Sequence, residues 1–296
     1  MEQRAQPVLA ASRELALESD GGVRLQAFHA VAAGETSRPR AIVLLHGWEG
    51  SANSLYVLSL AQSLYERGFD VIRLNLRDHG DTHHLNRELF HSCRLSEVVG
   101  AIGDLQQRLP AHELSLAGFS LGGNFMLRVA AKAPATNLRI ARAIGISPVL
   151  DPAVTLDALE SGFPLYRWYF VHKWTRSLRR KQQVWPGSFR FDELLSSGDL
   201  RRMTRELVLS HSDFRSIEDY FAGYALTGDR LAGLEVPSTI VTALDDPIIP
   251  VRDLARIARP AALKVITTPT GGHCGFFESF AASAWIDRLV LDELAT

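Results

Sequence analysis

The 296 residues include only two cysteines, Cys93 and Cys274, far apart and in no Cys-x-x-Cys pair. That excludes a disulfide framework and a zinc ribbon, and it fits a reducing compartment. Neither sign of charge dominates: 32 Lys and Arg stand against 33 Asp and Glu, a formal net charge of −1. A protein built to neutralise nucleic-acid phosphates carries a basic excess, so no nucleic-acid partner is expected. No apolar run is long enough to span a bilayer. The first twenty residues intersperse Glu2, Arg4, Arg13, Glu14 and Glu18 among apolar ones, unlike a signal peptide, so the expected location is the cytoplasm. Internal repeats and low-complexity tracts are also missing, which sets aside solenoids and disordered arrays.

What is present is an alternation of short β-branched runs with longer amphipathic ones. Strands are expected at Ala41–His46, Asp70–Leu76, Glu113–Ala117, Arg142–Ser147, Thr239–Leu244 and Leu263–Thr267, with Val23–Ala30 as an antiparallel edge strand. Helices are expected at Ser54–Arg67, Ser96–Leu109, Leu121–Ala133, Val251–Ala258 and Phe280–Leu294. Such an alternation makes a doubly wound, mostly parallel sheet with helices on both faces. The rhythm stops after Pro148, and the next stretch, up to Pro237, reads as helices and loops. It is too long for a structureless connection. The expected organisation is therefore a core of residues 1–148 and 237–296, interrupted by a helical lid over 149–236.

Gly118-Phe119-Ser120-Leu121-Gly122 joins the expected strand ending at Ala117 to the expected helix from Leu121. A serine on so tight a turn needs small neighbours two residues away on each side, and it sits where helix N–H groups favour negative charge. Ser120 is thus a candidate nucleophile, and the Leu121 N–H a candidate oxyanion donor. A neutral hydroxyl is a weak nucleophile, so it needs a base and a carboxylate to orient that base. His273, in Gly271-Gly272-His273-Cys274-Gly275, and Asp246, in Asp245-Asp246-Pro247, follow in the order serine, acid, histidine, each after a strand. Asp245 competes with Asp246; strand alternation would aim it at the opposite face. The loop His46-Gly47-Trp48-Glu49-Gly50 supplies the second oxyanion donor, the Trp48 N–H.

These residues, together with Asn75-Leu76-Arg77-Asp78-His79-Gly80, His91-Ser92 and Gly122-Gly123-Asn124, resemble the α/β-hydrolase superfamily and, within it, the YheT-like branch of predicted esterases. Asp78 departs from the pattern, since relatives often carry glycine there. The resemblance places nucleophile, acid and base on Ser120, Asp246 and His273, and the oxyanion hole on the backbone of Trp48 and Leu121. It implies hydrolysis of carboxylic esters, small or lipid, without a metal or organic cofactor. A thioesterase, a peptidase or an acyltransferase could use the same groups, and a hydrolase scaffold could also serve as a binding module.

Two weaker features remain. Asp78, His79, Asp81, His83, His84 and His91 are metal-ligand types, but their spacing matches no zinc motif, and no metal site is expected. In the lid, Trp168, Val171, Trp174 and Leu178 recur at helical spacing among Arg167, Lys173, Arg176, Arg179, Arg180 and Lys181. That pattern is expected to be a buried helix face with a wet, charged back; the alternative is peripheral contact with a lipid surface.

Overall fold

The computed structural model describes residues 3–33, 38–276 and 285–295. β1 (Ser12–Ser19), β2 (Val23–Ala30), β3 (Arg40–Leu45), β4 (Phe69–Leu74), β5 (Glu113–Phe119), β6 (Ile140–Ile146), β7 (Ser238–Ala243) and β8 (Leu263–Thr268) form one sheet, in spatial order β1-β2-β4-β3-β5-β6-β7-β8. The strands from β3 onward pair in parallel, while β1 and β2 pair antiparallel with each other and β2 with β4. The expected edge strand β2 is therefore one place in from the edge. Its outer neighbour β1 was not foreseen, although Leu15 and Leu17 alternate along it and Asp20-Gly21-Gly22 closes the hairpin, with φ of 74° and 76° at the two glycines.

The helices among the described residues are α1 (Gln6–Ala11), α2 (Leu55–Tyr65), α3 (Leu95–Arg108), α4 (Leu121–Lys132), α5 (Pro152–Ser161), α6 (Pro164–Val184), α7 (Asp192–Leu195), α8 (Leu200–His211), α9 (Ile217–Tyr224) and α10 (Trp285–Ala295). Alternation along β3 divides its side chains between two layers. Ile42 and Leu44 pack with residues of α1, α2 and α10, whereas Ala41, Val43 and Leu45 pack with residues of α3 and α4. Both faces of the sheet are thus covered.

Two expected helices differ. Val251–Arg256 is a short 3-10 turn, because Ile257 turns extended and the chain there pairs with Gly228 through Gly228 N to Arg256 O and Ala258 N to Gly228 O. The last helix begins at Trp285 among the described residues, and the start expected at Phe280 lies outside them. Between β6 and β7 the regular structure is helical. Side-chain caps start three of its helices: Asp151 accepts from Ala153 and Val154 N–H, Asp199 from Arg202 N–H and Ser216 from Asp219 N–H. This segment has a small core of its own, in which Leu178, Phe189, Phe191, Leu194, Met203 and Leu207 meet Leu89.

Candidate active site

Register brings the site together before any side chain does. Leu45 pairs with Gly118, so the loops leaving β3 and β5 run side by side at the carboxyl edge of the sheet. Ser120 follows β5 with φ 52° and ψ −117°, a left-handed conformation that costs energy for any residue with a Cβ. The turn is as tight as the sequence implied. A Cβ on Gly118 would lie 2.4 Å from the Gly122 carbonyl, and one on Gly122 would lie 2.4 Å from the carbonyl oxygens of Leu45 and His46. Ser120 N–H donates to Ile146 O (2.8 Å), fixing the turn to β6. Leu121 is the first residue of α4, where N–H groups lack an intrahelical acceptor.

The loop after β3 lies against the serine, for a Cβ on Gly47 would come 3.2 Å from Ser120 Cβ. Two side chains hold the loop. Gly47 N–H donates to the Tyr56 hydroxyl (3.0 Å), and His46 bridges Gly47 O (2.7 Å) to Leu76 N (3.2 Å). Burial, with His79 nearby, holds the His46 pKa well below its ordinary value. The ring is therefore neutral, with Nδ1–H donating to Gly47 O and Nε2 accepting from Leu76 N–H. The Trp48 N–H has no acceptor among the described residues. Its indole lies beneath α6, stacked on Phe170 (centroids 5.2 Å apart) and edge-on to Trp174 (5.0 Å).

Asp246 and His273 come from the loops after the adjacent strands β7 and β8. His273 Nδ1 is 2.9 Å from Asp246 Oδ2, and Asp246 Oδ1 accepts from the N–H groups of Ile248 (2.9 Å) and Ile249 (3.0 Å). The Asp246 side chain is wholly buried. Asp245 points elsewhere, accepting from Gly272 N–H (2.8 Å), which makes it a brace for the histidine loop. Burial disfavours a charged His273 ring, but Cys274 and the Asp246 carboxylate beside it override that and raise the pKa to about 10. Ser120 and His273 line one cavity with Gly47 and Trp48, although no hydrogen bond joins the two side chains among the described residues.

A family profile described as alpha/beta hydrolase fold matches residues 40–280, from β3 to beyond His273. The chain belongs to that family. It is 25% identical over 269 residues to the Escherichia coli protein named "Putative esterase YheT", covering 88% of this chain and 77% of that one. To the monoacylglycerol lipase of Saccharomyces cerevisiae it is 22% identical over 257 residues, 82% of this chain and 56% of that one. Among solved structures, the Pyrococcus furiosus esterase Pf2001 superposes with a TM-score of 0.63 at 12% identity over 96% of this chain and 91% of its own; that likeness concerns the fold alone.

In this α/β hydrolase a second cavity reaches inward from the serine. It shares Trp48, Ser120, Phe170 and Ile248 with the outer one and continues between Leu156, Leu159, Leu207, Val208 and Tyr220 of the helical segment. Its wall carries Glu49, whose carboxyl pKa is pushed by burial up to about 8 against the pull of Lys173. The histidine-rich loop serves to attach α6. Asp78 Oδ1 accepts from Lys181 Nζ (2.7 Å), His83 Nε2 meets Ser177 Oγ (2.8 Å), and Trp185 Nε1–H donates to His83 O (2.9 Å). Lys181, expected among the charges on the wet face of α6, is instead buried in this contact. Among the described residues no three His, Cys, Asp or Glu side chains converge as a metal site.

Several supporting residues escaped the sequence reading. Tyr56 and His46 hold the loop after β3, and Asn124 ties α4 to Val149 O and Tyr224 O (both 2.8 Å), anchoring the helical segment behind the serine. Asn124 and His46 had a local signal, standing in the motifs Gly122-Gly123-Asn124 and His46-Gly47-Trp48-Glu49-Gly50, whereas Tyr56 had none.

Proposed function

We propose that this chain is a serine hydrolase of carboxylic esters, with Ser120 as nucleophile, His273 as base and Asp246 as its orienting acid. The observation that carries this is a left-handed serine on a strand-to-helix turn, sharing a cavity with a histidine whose Nδ1 is tied to a buried carboxylate. In the neutral ring that tie leaves His273 Nε2 as the free acceptor. Nε2 takes the Ser120 proton as Oγ bonds to the ester carbonyl carbon, and the carbonyl oxygen takes the negative charge. The N–H groups of Trp48 and Leu121 receive that oxyanion, one such donor being worth about 3 kcal/mol of transition-state stabilisation. As the C–O bond breaks, His273 returns the proton to the departing alcohol. A water molecule, deprotonated by the same nitrogen, then attacks the acyl-serine, and the proton passes to Ser120 Oγ as its bond to the acyl carbon breaks and the free acid leaves. In the same reading residues 149–236 are the lid, its helices forming the roof over both cavities.

Intact mass after treatment with a fluorophosphonate tests this. A single adduct on the wild type and none on Ser120→Ala is the expected result, because only an activated serine reacts quickly. A wild-type protein that stays unmodified under conditions where its fold is intact would overturn the reading in favour of a binding scaffold.

A further inference from the structure

Helix α6 has an apolar stripe that stays exposed among the described residues. Phe163, at its N-cap, is 65% exposed, and Leu165, Trp168 and Tyr169 are 58, 61 and 44% exposed. The stripe foreseen from spacing is a different one: of its members, Leu178 is buried and Val171 and Trp174 are partly buried against the core, while Trp168 faces out. Counting from Leu165, the outward positions fall at i+3, i+4 and i+7, the last being exposed His172, whose ring stacks on Trp168 (5.5 Å). The same face continues at i+11, i+14 and i+15 with Arg176, Arg179 and Arg180, all exposed and forming no ion pair among the described residues. Between Pro164 and Val184 there are six Lys and Arg and no Asp or Glu. One helix side therefore presents aromatic and aliphatic side chains followed by unneutralised arginines, and Leu165, Trp168 and Tyr169 also rim the outer cavity that holds Ser120 and His273.

We infer that this face seats the protein on an anionic lipid surface. The rings of Phe163, Trp168 and Tyr169 enter the headgroup boundary, the arginines meet lipid phosphates, and the outer cavity opens onto the bilayer. A second copy of the chain fits less well, because a twofold contact would set one all-basic helix against another. As a statement about substrates, the inference rests on the ester-hydrolase reading and deepens it: the esters are ones carried in a membrane. As a statement about binding it stands alone.

The test is sedimentation of the full chain with vesicles of phosphatidylcholine alone and with added phosphatidylglycerol. Binding to the anionic vesicles that weakens with salt is expected, with much less binding to the neutral ones. Arg176→Gln/Arg179→Gln/Arg180→Gln should weaken partitioning to anionic vesicles by about a hundredfold. Phe163→Ser should weaken it on both compositions. Neither variant should alter the melting curve or fluorophosphonate labelling. Equal binding by wild type and variants, or no binding, overturns the inference, as does a concentration-dependent dimer that Trp168→Ser abolishes. A protein that binds vesicles yet resists the fluorophosphonate refutes the esterase reading and leaves the lipid surface standing; a labelled protein that ignores vesicles does the reverse.

Discussion

Ser120 depends on neighbours that hold it in an unfavourable conformation. A residue with φ 52° persists only where surrounding bonds over-determine it, and the contacts of Ser120 N and O with Ile146 and Asn124 do that. Asp78 shows the same logic with another outcome. Its φ of 59° is a conformation that glycine adopts without strain, and the carboxylate that glycine lacks is used here to bind Lys181. His273 bears the sharpest prediction at this scale. Only the neutral ring accepts a proton, so with its pKa raised from 6.5, kcat/KM should fall as pH drops, along a limb lying above 6.5. Asp246→Asn removes one cause of the rise and should move that limb toward acid, while lowering the plateau kcat by about 10³- to 10⁴-fold through loss of the ring's orientation. A pH–rate series on a water-soluble ester decides it, and an unshifted limb would contradict the assignment of Asp246.

Among the elements, α6 connects the cavity to the surface. Its inner face reaches Trp48 through Phe170 and Trp174, and its C-terminal half is fixed by Lys181, buried against Asp78 and the carbonyl oxygens of Asn86 and Glu88. Removing one partner of a buried ion pair leaves the other charge without compensation. Lys181→Met should therefore cost about 3–5 kcal/mol in urea unfolding. The double variant Asp78→Gly/Lys181→Met should recover most of that loss, since glycine suits the left-handed backbone at 78 and an apolar pair carries no desolvation penalty. A single variant as stable as the wild type would mean that the pair does not tether α6.

Across the whole molecule stability is uneven. The sheet is enclosed by two large clusters, and α5, α8 and α9 join one of them through Leu156, Val208 and Tyr220, whereas α7 and the C-terminal half of α6 rest on a seven-residue core and on polar ties to the loop after β4. Backbone amides in β3, β5 and β6 should exchange with deuterium slowest, and those of α7 and the first two turns of α6 fastest. Mass spectrometry of exchanged peptides checks this; a helical segment as protected as β5 would mean that the two regions unfold as one unit.

Much of this was legible without coordinates. Six parallel strands and the elbow followed from local patterns, because a buried strand and a glycine-flanked turn impose their demands on adjacent residues. Strand β1 was missed although its hairpin glycines stood in plain view, since its outward Arg13, Glu14 and Glu18 mask a two-residue alternation. The helix expected at Val251–Ala258 gave way to pairing with Gly228, a partner too distant in the chain for periodicity to register. From the sequence alone came the fold class, the candidate Ser120, Asp246 and His273, and the two N–H donors, all of them consequences of short-range steric and chemical needs. Tertiary structure alone decided that Asp245 braces the histidine loop, that His46 and Tyr56 hold Gly47, and that Lys181 turns inward while Trp168 turns out. Those outcomes depend on which distant segments meet and how much water they exclude, quantities set by packing across the chain.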